Sequence, residues 1–164
     1  MVPGLLLTGI IAGWRDRLRQ SQTIHDFCQA KYGKAPAIFV GSDPARPPAD
    51  ADCPYILIQP GWKTEGTDRK QYRYAVPVQW AIVNPDRTAA DGVTELAGIY
   101  DCDQLGQLIL DEIAQASPAN PISYVKYFPL TEEALASGGY SPRFTGAMEV
   151  KLYIVPAMGG GLNY

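Results

Sequence analysis

Residues 71–83, QYRYAVPVQWAIV, decide the fold. Tyr72, Tyr74, Val76, Val78, Trp80 and Ile82 are large and apolar. Between them stand Gln71, Arg73, Ala75, Pro77, Gln79, Ala81 and Val83, mostly small or polar. A period of two sends successive side chains to opposite faces, so the stretch reads as a β-strand with one buried side. The other side must meet water or a partner. Each large apolar side chain contributes ~1.5–3 kcal/mol on burial. A one-residue slip would move the whole set into water, which fixes the register. Pro77 cannot donate to a sheet ladder and predicts an edge position or a bulge. A long edge strand that is apolar on one side invites covering by a neighbouring subunit.

Residues 143–155 repeat the alternation, with Phe144, Gly146, Met148, Val150, Leu152 and Ile154 set against Thr145, Glu149 and Lys151. The two stretches are therefore expected to share one antiparallel sheet and one buried face. Residues 93–116 read as the main helix. Leu96, Ile99, Cys102, Leu105, Ile109 and Ile113 form a stripe suited to lying across a sheet. Asp101, Asp103, Gln107 and Asp111 fall largely off it and are expected to be a solvated acidic face. Pro118 and Pro121 end the helix.

Residues 5–20 carry Leu6, Ile10, Trp14 and Leu18 at helical spacing, with arginines crowding the second half. Thr23 is expected to cap a second helix, 24–32, stopped by Gly33. Residues 37–40 and 55–59 are short apolar strands, and 122–130 is a further strand with Tyr124 and Phe128 as apolar members. TEEALAS, within 131–141, suggests a helical turn. Residues 41–54, 60–70 and 84–92 read as loops, the second as a long charged hairpin. Neighbouring strands with one crossover helix indicate α+β: a mainly antiparallel sheet with a crossover helix and N-terminal helices packed on it. One domain spans 1–156, and residues 157–164 are expected to be a flexible glycine-rich tail.

The chain has 164 residues and a net charge of −3, which argues against a dedicated nucleic-acid binder. No stretch is long and apolar enough for a membrane span, and the apolar start lacks the basic region of a secretory signal. The three cysteines, Cys28, Cys53 and Cys102, lack zinc spacing and are expected to be buried reduced thiols. Asp43, Asp50 and Asp52 share a loop, but the calcium-loop pattern is absent. No metal and no cofactor is expected. His25 is the single histidine, and no nucleophile motif, Walker sequence or dinucleotide fingerprint accompanies it. The residues thus favour a non-catalytic role over a small hydrolase or nucleotide-handling enzyme.

The order CPYILIQPGWKTEGTDRKQYRYAVPVQWAIVNPD, then IYDCDQLGQLILDEIA, then GGYSPRFTGAMEVKLYIV resembles the bacteriophage tail terminator family, of the lambda gpU type, and related minor tail or neck proteins. The resemblance covers roughly residues 50–156 and is one of pattern rather than motif. It includes a closing strand preceded by a loop bearing Gly139, Tyr140 and Arg143. The chain departs from the family in its N-terminal helical region, its proline-rich loop and its glycine-rich end. The resemblance implies a structural virion protein of a phage or prophage tail, assembled in the host bacterial cytoplasm. It implies a homo-oligomer, a hexameric ring when assembled, that caps the tail tube and docks to the head connector or neck protein. A head-completion or neck adaptor is the alternative within the same class. DNA would be only passing cargo in the lumen, and no membrane would be involved. The expected contacts with the tube or the next subunit are Lys63, Glu65, Asp68, Arg69, Lys70, Pro77, Asp86, Arg87, Tyr140 and Arg143.

Overall fold

The computed structural model of the chain describes residues 6–65, 72–116, 122–134 and 140–154. The elements are α1 (Leu7–Gln20), α2 (Gln22–Tyr32), β1 (Ala37–Val40), β2 (Tyr55–Ile58), β3 (Trp62–Glu65), β4 (Tyr72–Val83), β5 (Arg87–Ala90), β6 (Val93–Leu96), α3 (Ala97–Gln115), β7 (Ile122–Tyr127), β8 (Thr131–Ala134) and β9 (Tyr140–Ile154). This is the α+β architecture that the alternating stretches require. The main sheet runs β1-β2-β4-β9-β7, with β3 also beside β4 and β8 also beside β9. Only the β1–β2 pair among the described ladders is parallel.

The two alternating stretches pair from Tyr72 opposite Ile154 to Val83 opposite Arg143. Even positions meet even positions, so both apolar sets fall on one face. Tyr74, Val76, Val78, Trp80, Ile82, Phe144, Met148, Val150 and Leu152 are all buried there. The helices close that face. Ile10, Trp14 and Leu18 of α1, Ile24 and Cys28 of α2, and Cys102, Leu105, Ile109 and Ile113 of α3 complete the cluster. Trp80 locks α3 to the sheet. Its indole N–H donates to the Cys102 carbonyl at 2.7 Å, and its ring fits between Gly106 on α3 and Gly146, the residue directly opposite on β9.

Pro77 does not mark an edge. β4 lies inside the sheet, with β9 on one side and β2 followed by β3 on the other. The Pro77 carbonyl accepts from the Gln59 N–H at 2.9 Å. The proline's missing donor therefore falls opposite residues 59–61, where β2 gives way to β3 and the ladder is already broken. Gly61 is required at that step, because a Cβ there would overlap the Ala75 carbonyl oxygen.

Several local expectations are corrected. Residues 62–65, read as loop, form β3. Residues 87–96, read as loop and helix start, form the β5–β6 hairpin, turned at Asp91 and Gly92 with φ 55° and 77°. The main helix therefore begins at Ala97 rather than at residue 93. Residues 131–134 form a strand rather than a helical turn; the rest of that stretch lies outside the described residues. The cap of α2 is Ser21, whose Oγ accepts from the Ile24 N–H at 3.2 Å, because the helix starts two residues earlier than expected. Gly33 ends α2 in the left-handed region, as expected. The tail 157–164 lies outside the described residues. Among the described residues no helix is long and apolar enough to cross a membrane.

Candidate functional site

The sheet has a second face, and its two ends differ. At the β1–β2 end, Cys53, Tyr55, Leu57 and Ala81 form a small cluster with Ala37, Phe39 and Val83, to which, among the described residues, no α-helix contributes. Arg143 reaches this end from β9. Its Nη2 donates to Tyr55 Oη at 2.6 Å, its Nη1 lies 3.3 Å from Asp50 Oδ1, and its guanidinium stacks on the Tyr55 ring. Arg143 thereby pins loop 41–54 to the sheet. Lys34, between α2 and β1, also holds the loop, donating to the Ala51 carbonyl at 2.9 Å.

Toward β7 the face is differently made. Trp62 stands opposite Ala75, Ala75 opposite Lys151, and Lys151 opposite Tyr124, which makes one row across four strands. The next row is Pro77, Glu149 and Lys126. In the row beyond, Gln79 faces Ala147, whose carbonyl accepts from the Phe128 N–H at 3.0 Å. Trp62, Tyr124 and Phe128 are 45%, 57% and 41% exposed. Lysines interleave with them, Lys126 over the Phe128 ring at 5.3 Å and Lys151 over the Tyr124 ring at 5.8 Å. Glu149 lies 3.5 Å from Lys151. Aromatic residues thus flank a floor of Ala75, Pro77, Gln79 and Ala147 crossed by the charged pair Glu149 and Lys151.

Tyr124 and Phe128, the apolar members expected of this strand, are turned outward by a register shift between Ile122 and Tyr124. Ile122 pairs with Leu152 on the helix-facing side, whereas Tyr124 pairs with Lys151 on the other. One extra residue reverses the parity of the strand. The lysines at 126 and 151 were the available sequence signal, since charge at those positions marks the solvent face.

The residues named from the sequence fall into two groups at opposite ends of β4, roughly 40 Å apart along its 12 residues. Lys63 lies on β3 at one end, its Nζ 5.6 Å from the Tyr74 ring centroid. Glu65 closes β3 opposite Arg73. Asp68, Arg69 and Lys70 lie outside the described residues. At the other end, Asp86 and the exposed Arg87 form the base of the β5–β6 hairpin. The Asn84 N–H donates to the Pro142 carbonyl at 2.9 Å, which brings that base beside the start of β9. Tyr140 stands there opposite Ala134. Pro77 lies midway, on the helix-free face. The structure therefore joins Asp86, Arg87, Tyr140 and Arg143 in one region and separates them from Lys63 and Glu65.

Asp101 is a further correction: it is 8% exposed, not part of a solvated face. Lys31 Nζ lies 3.0 Å from its Oδ1, and Tyr32 Oη and Asn84 Nδ2 donate to its Oδ2 at 3.1 and 2.9 Å. The helix stripe left this residue outside because helical periodicity does not register the docking of α2. Burial, then the neighbouring Asp101 charge, holds the Tyr32 hydroxyl well above its usual titration range. Ile99, read as a stripe member, is exposed.

The thiols are buried as expected. Burial pushes Cys28 and Cys102 up to about 12 and Cys53 up to about 11, which removes the thiolate that nucleophilic chemistry needs. His25 lies on the surface of α2, its Nδ1 3.7 Å from Asp26 Oδ1. Open depressions of about 570 and 420 Å³ flank the end of β1, the first lined by Phe39, Asp43, Arg46 and Asp52, the second by Ile11, Arg15 and Val40. No known family model and no characterised protein sequence matches the chain.

Proposed function

We propose that this chain is a ring-forming structural protein of a phage or prophage tail, one that ends the tail tube and presents a docking face to the head connector. The observation that carries the reading is the helix-free face of the sheet. It displays Trp62, Tyr124 and Phe128 on a scaffold fixed by the β4–β9 ladder. Large apolar side chains grouped on an exposed face are features of protein contacts. The sheet also ends in two unlike edges, β1 and β7. A contact between unlike surfaces is heterologous, and repeated head to tail it closes a ring when the rotation between subunits is a whole fraction of a turn. The buried thiols and the exposed, weakly partnered His25 give acid–base chemistry little to work with. The acidic balance suits a lumen through which DNA slides, since basic walls hold phosphates.

Light scattering of the purified chain, alone and with a tail-tube preparation, tests this reading. The expected result is a mass of several subunits on the tubes, with rings at tube ends in negative stain. Binding to portal rings and not to tubes favours a neck adaptor instead. A monomer that binds neither refutes the proposal.

A further inference from the structure

We propose that the proline-rich loop 42–52 of one copy docks on the aromatic face formed by Trp62, Tyr124 and Phe128 of the next copy. The inference rests on the ring-forming reading above and names the surface that closes the ring. The loop reads SDPARPPADAD and exposes Pro44 and Pro47 together with Asp43 and Asp50. It is held in shape before any partner arrives. Asp43 Oδ1 accepts from the Ala45 N–H at 2.9 Å, and the Asp43 carbonyl accepts from the Arg46 N–H at 3.0 Å. Asp52 Oδ2 accepts from the Ala49 N–H at 2.8 Å, and Asp50 is held by Arg143. A segment ordered in advance loses little freedom on docking. The exposed proline rings of such a preformed turn are rigid apolar surfaces that can stack on aromatic rings with little further ordering cost.

The charges match the same pairing. Loop 42–52 carries three aspartates and one arginine. The aromatic face carries Lys126 and Lys151, each lying over a ring, with Glu149 as the opposing charge. The two surfaces are held apart within one chain. The tip of the loop lines the depression beside β1, whereas Tyr124 and Phe128 belong to the β7 edge. Four strand spacings separate those edges, roughly 19 Å. Asp50 is anchored on Arg143 near the start of β9, whereas Tyr124 lies opposite Lys151, eight residues and roughly 26 Å further along that strand, so a loop held in this shape reaches Tyr124 only on another molecule.

Engineered cysteines test the contact, since Cys28, Cys53 and Cys102 are buried. Chains carrying Pro47→Cys are mixed with chains carrying Tyr124→Cys under mild oxidation, with and without tail tubes. The expected product is a mixed disulfide dimer that exceeds the one formed by Pro47→Cys with Thr94→Cys on the distant hairpin. In parallel, Tyr124→Ala with Phe128→Ala is expected to weaken self-association by about tenfold or more. If the wild-type chain assembles but neither effect appears, this surface is wrong and the ring-forming reading stands. If the wild-type chain stays monomeric at every concentration, with tubes and without, the ring-forming reading fails and takes this inference with it. Binding of a foreign proline-rich peptide at Tyr124 by a chain that never self-associates also overturns the proposal.

Discussion

Gly106→Ala places a methyl group against Trp80, and the structure sets both the sign and the size of the result. In an exposed helix the change stabilises by about 1 kcal/mol, because alanine loses less backbone freedom than glycine. Here the new Cβ overlaps Trp80 Cζ2 and lies 2.9 Å from Cε2. The indole cannot retreat. Gly146 backs its other side, where a Cβ would be 2.7 Å from Nε1, and the N–H is held by the Cys102 carbonyl. Overpacking a fixed core costs ~1–3 kcal/mol or more, and a ring trapped on both sides belongs at the upper end. The net expectation is a loss of about 2 kcal/mol, or a Tm lower by about 4–8 °C in a domain of this size. Thermal unfolding followed by far-UV circular dichroism measures it. Gly13→Ala on α1 is the control, since nothing lies within 4 Å of its added Cβ; it is expected to raise Tm. Trp80→Phe removes the clashing part of the ring, so Gly106→Ala is expected to cost less in that background. If Gly106→Ala and Gly13→Ala raise Tm alike, the argument that Trp80 is wedged between two glycines is refuted.

Asp101→Ala strips Lys31, Tyr32 and Asn84 of a shared acceptor. It is expected to lower stability by about 2–4 kcal/mol in urea titration, whereas Asp103→Ala on the exposed side of α3 is expected to stay within about 0.5 kcal/mol. Arg143→Ala removes the contacts with Asp50 and Tyr55 that hold loop 41–54 to β9, so limited proteolysis is expected to cut that loop faster while the rest of the chain survives. The thiols titrate at about 11–12 in the folded chain against an ordinary value of 9.0. The unfolded chain therefore releases these protons first as pH rises. Their contribution is complete below about 9 and is lost progressively up to 11–12, by up to about 1.4 kcal/mol per pH unit for each thiol. Denaturation midpoints across that range measure the slope, and a thiol reagent at pH 8 is expected to label the chain only after unfolding.

The alternation of residues 71–83 and 143–155 carried the shared sheet, its buried face and the helix lying across it. Side-chain parity is a local property, and a period of two has one structural solution. Parity could not place Tyr124 and Phe128, because one extra residue after Ile122 reverses the faces of β7, and only the lysines at 126 and 151 mark the solvent side. Asp101 was misread for a related reason: helical spacing says which residues share a side, and not which sides are covered. Pro77 shows the division sharply. The residue alone announced a gap in a ladder, and the gap is there. Whether it fell at a sheet edge or inside the sheet depended on where β2 ends and β3 begins, a matter of chain packing 15–18 residues earlier.

The charged residues that the sequence nominated as contacts were likewise real positions without known neighbours. Only the fold could show that Arg143 turns onto Tyr55 and Asp50, and that Trp62, Tyr124 and Phe128 gather on one face from two separate strands. The sequence by itself determined which strands are apolar on one side and hence that a two-layer α+β core must form. The tertiary structure alone decided what lies on the opposite face, because that face is assembled from residues distant in the chain and its character depends on cross-strand register.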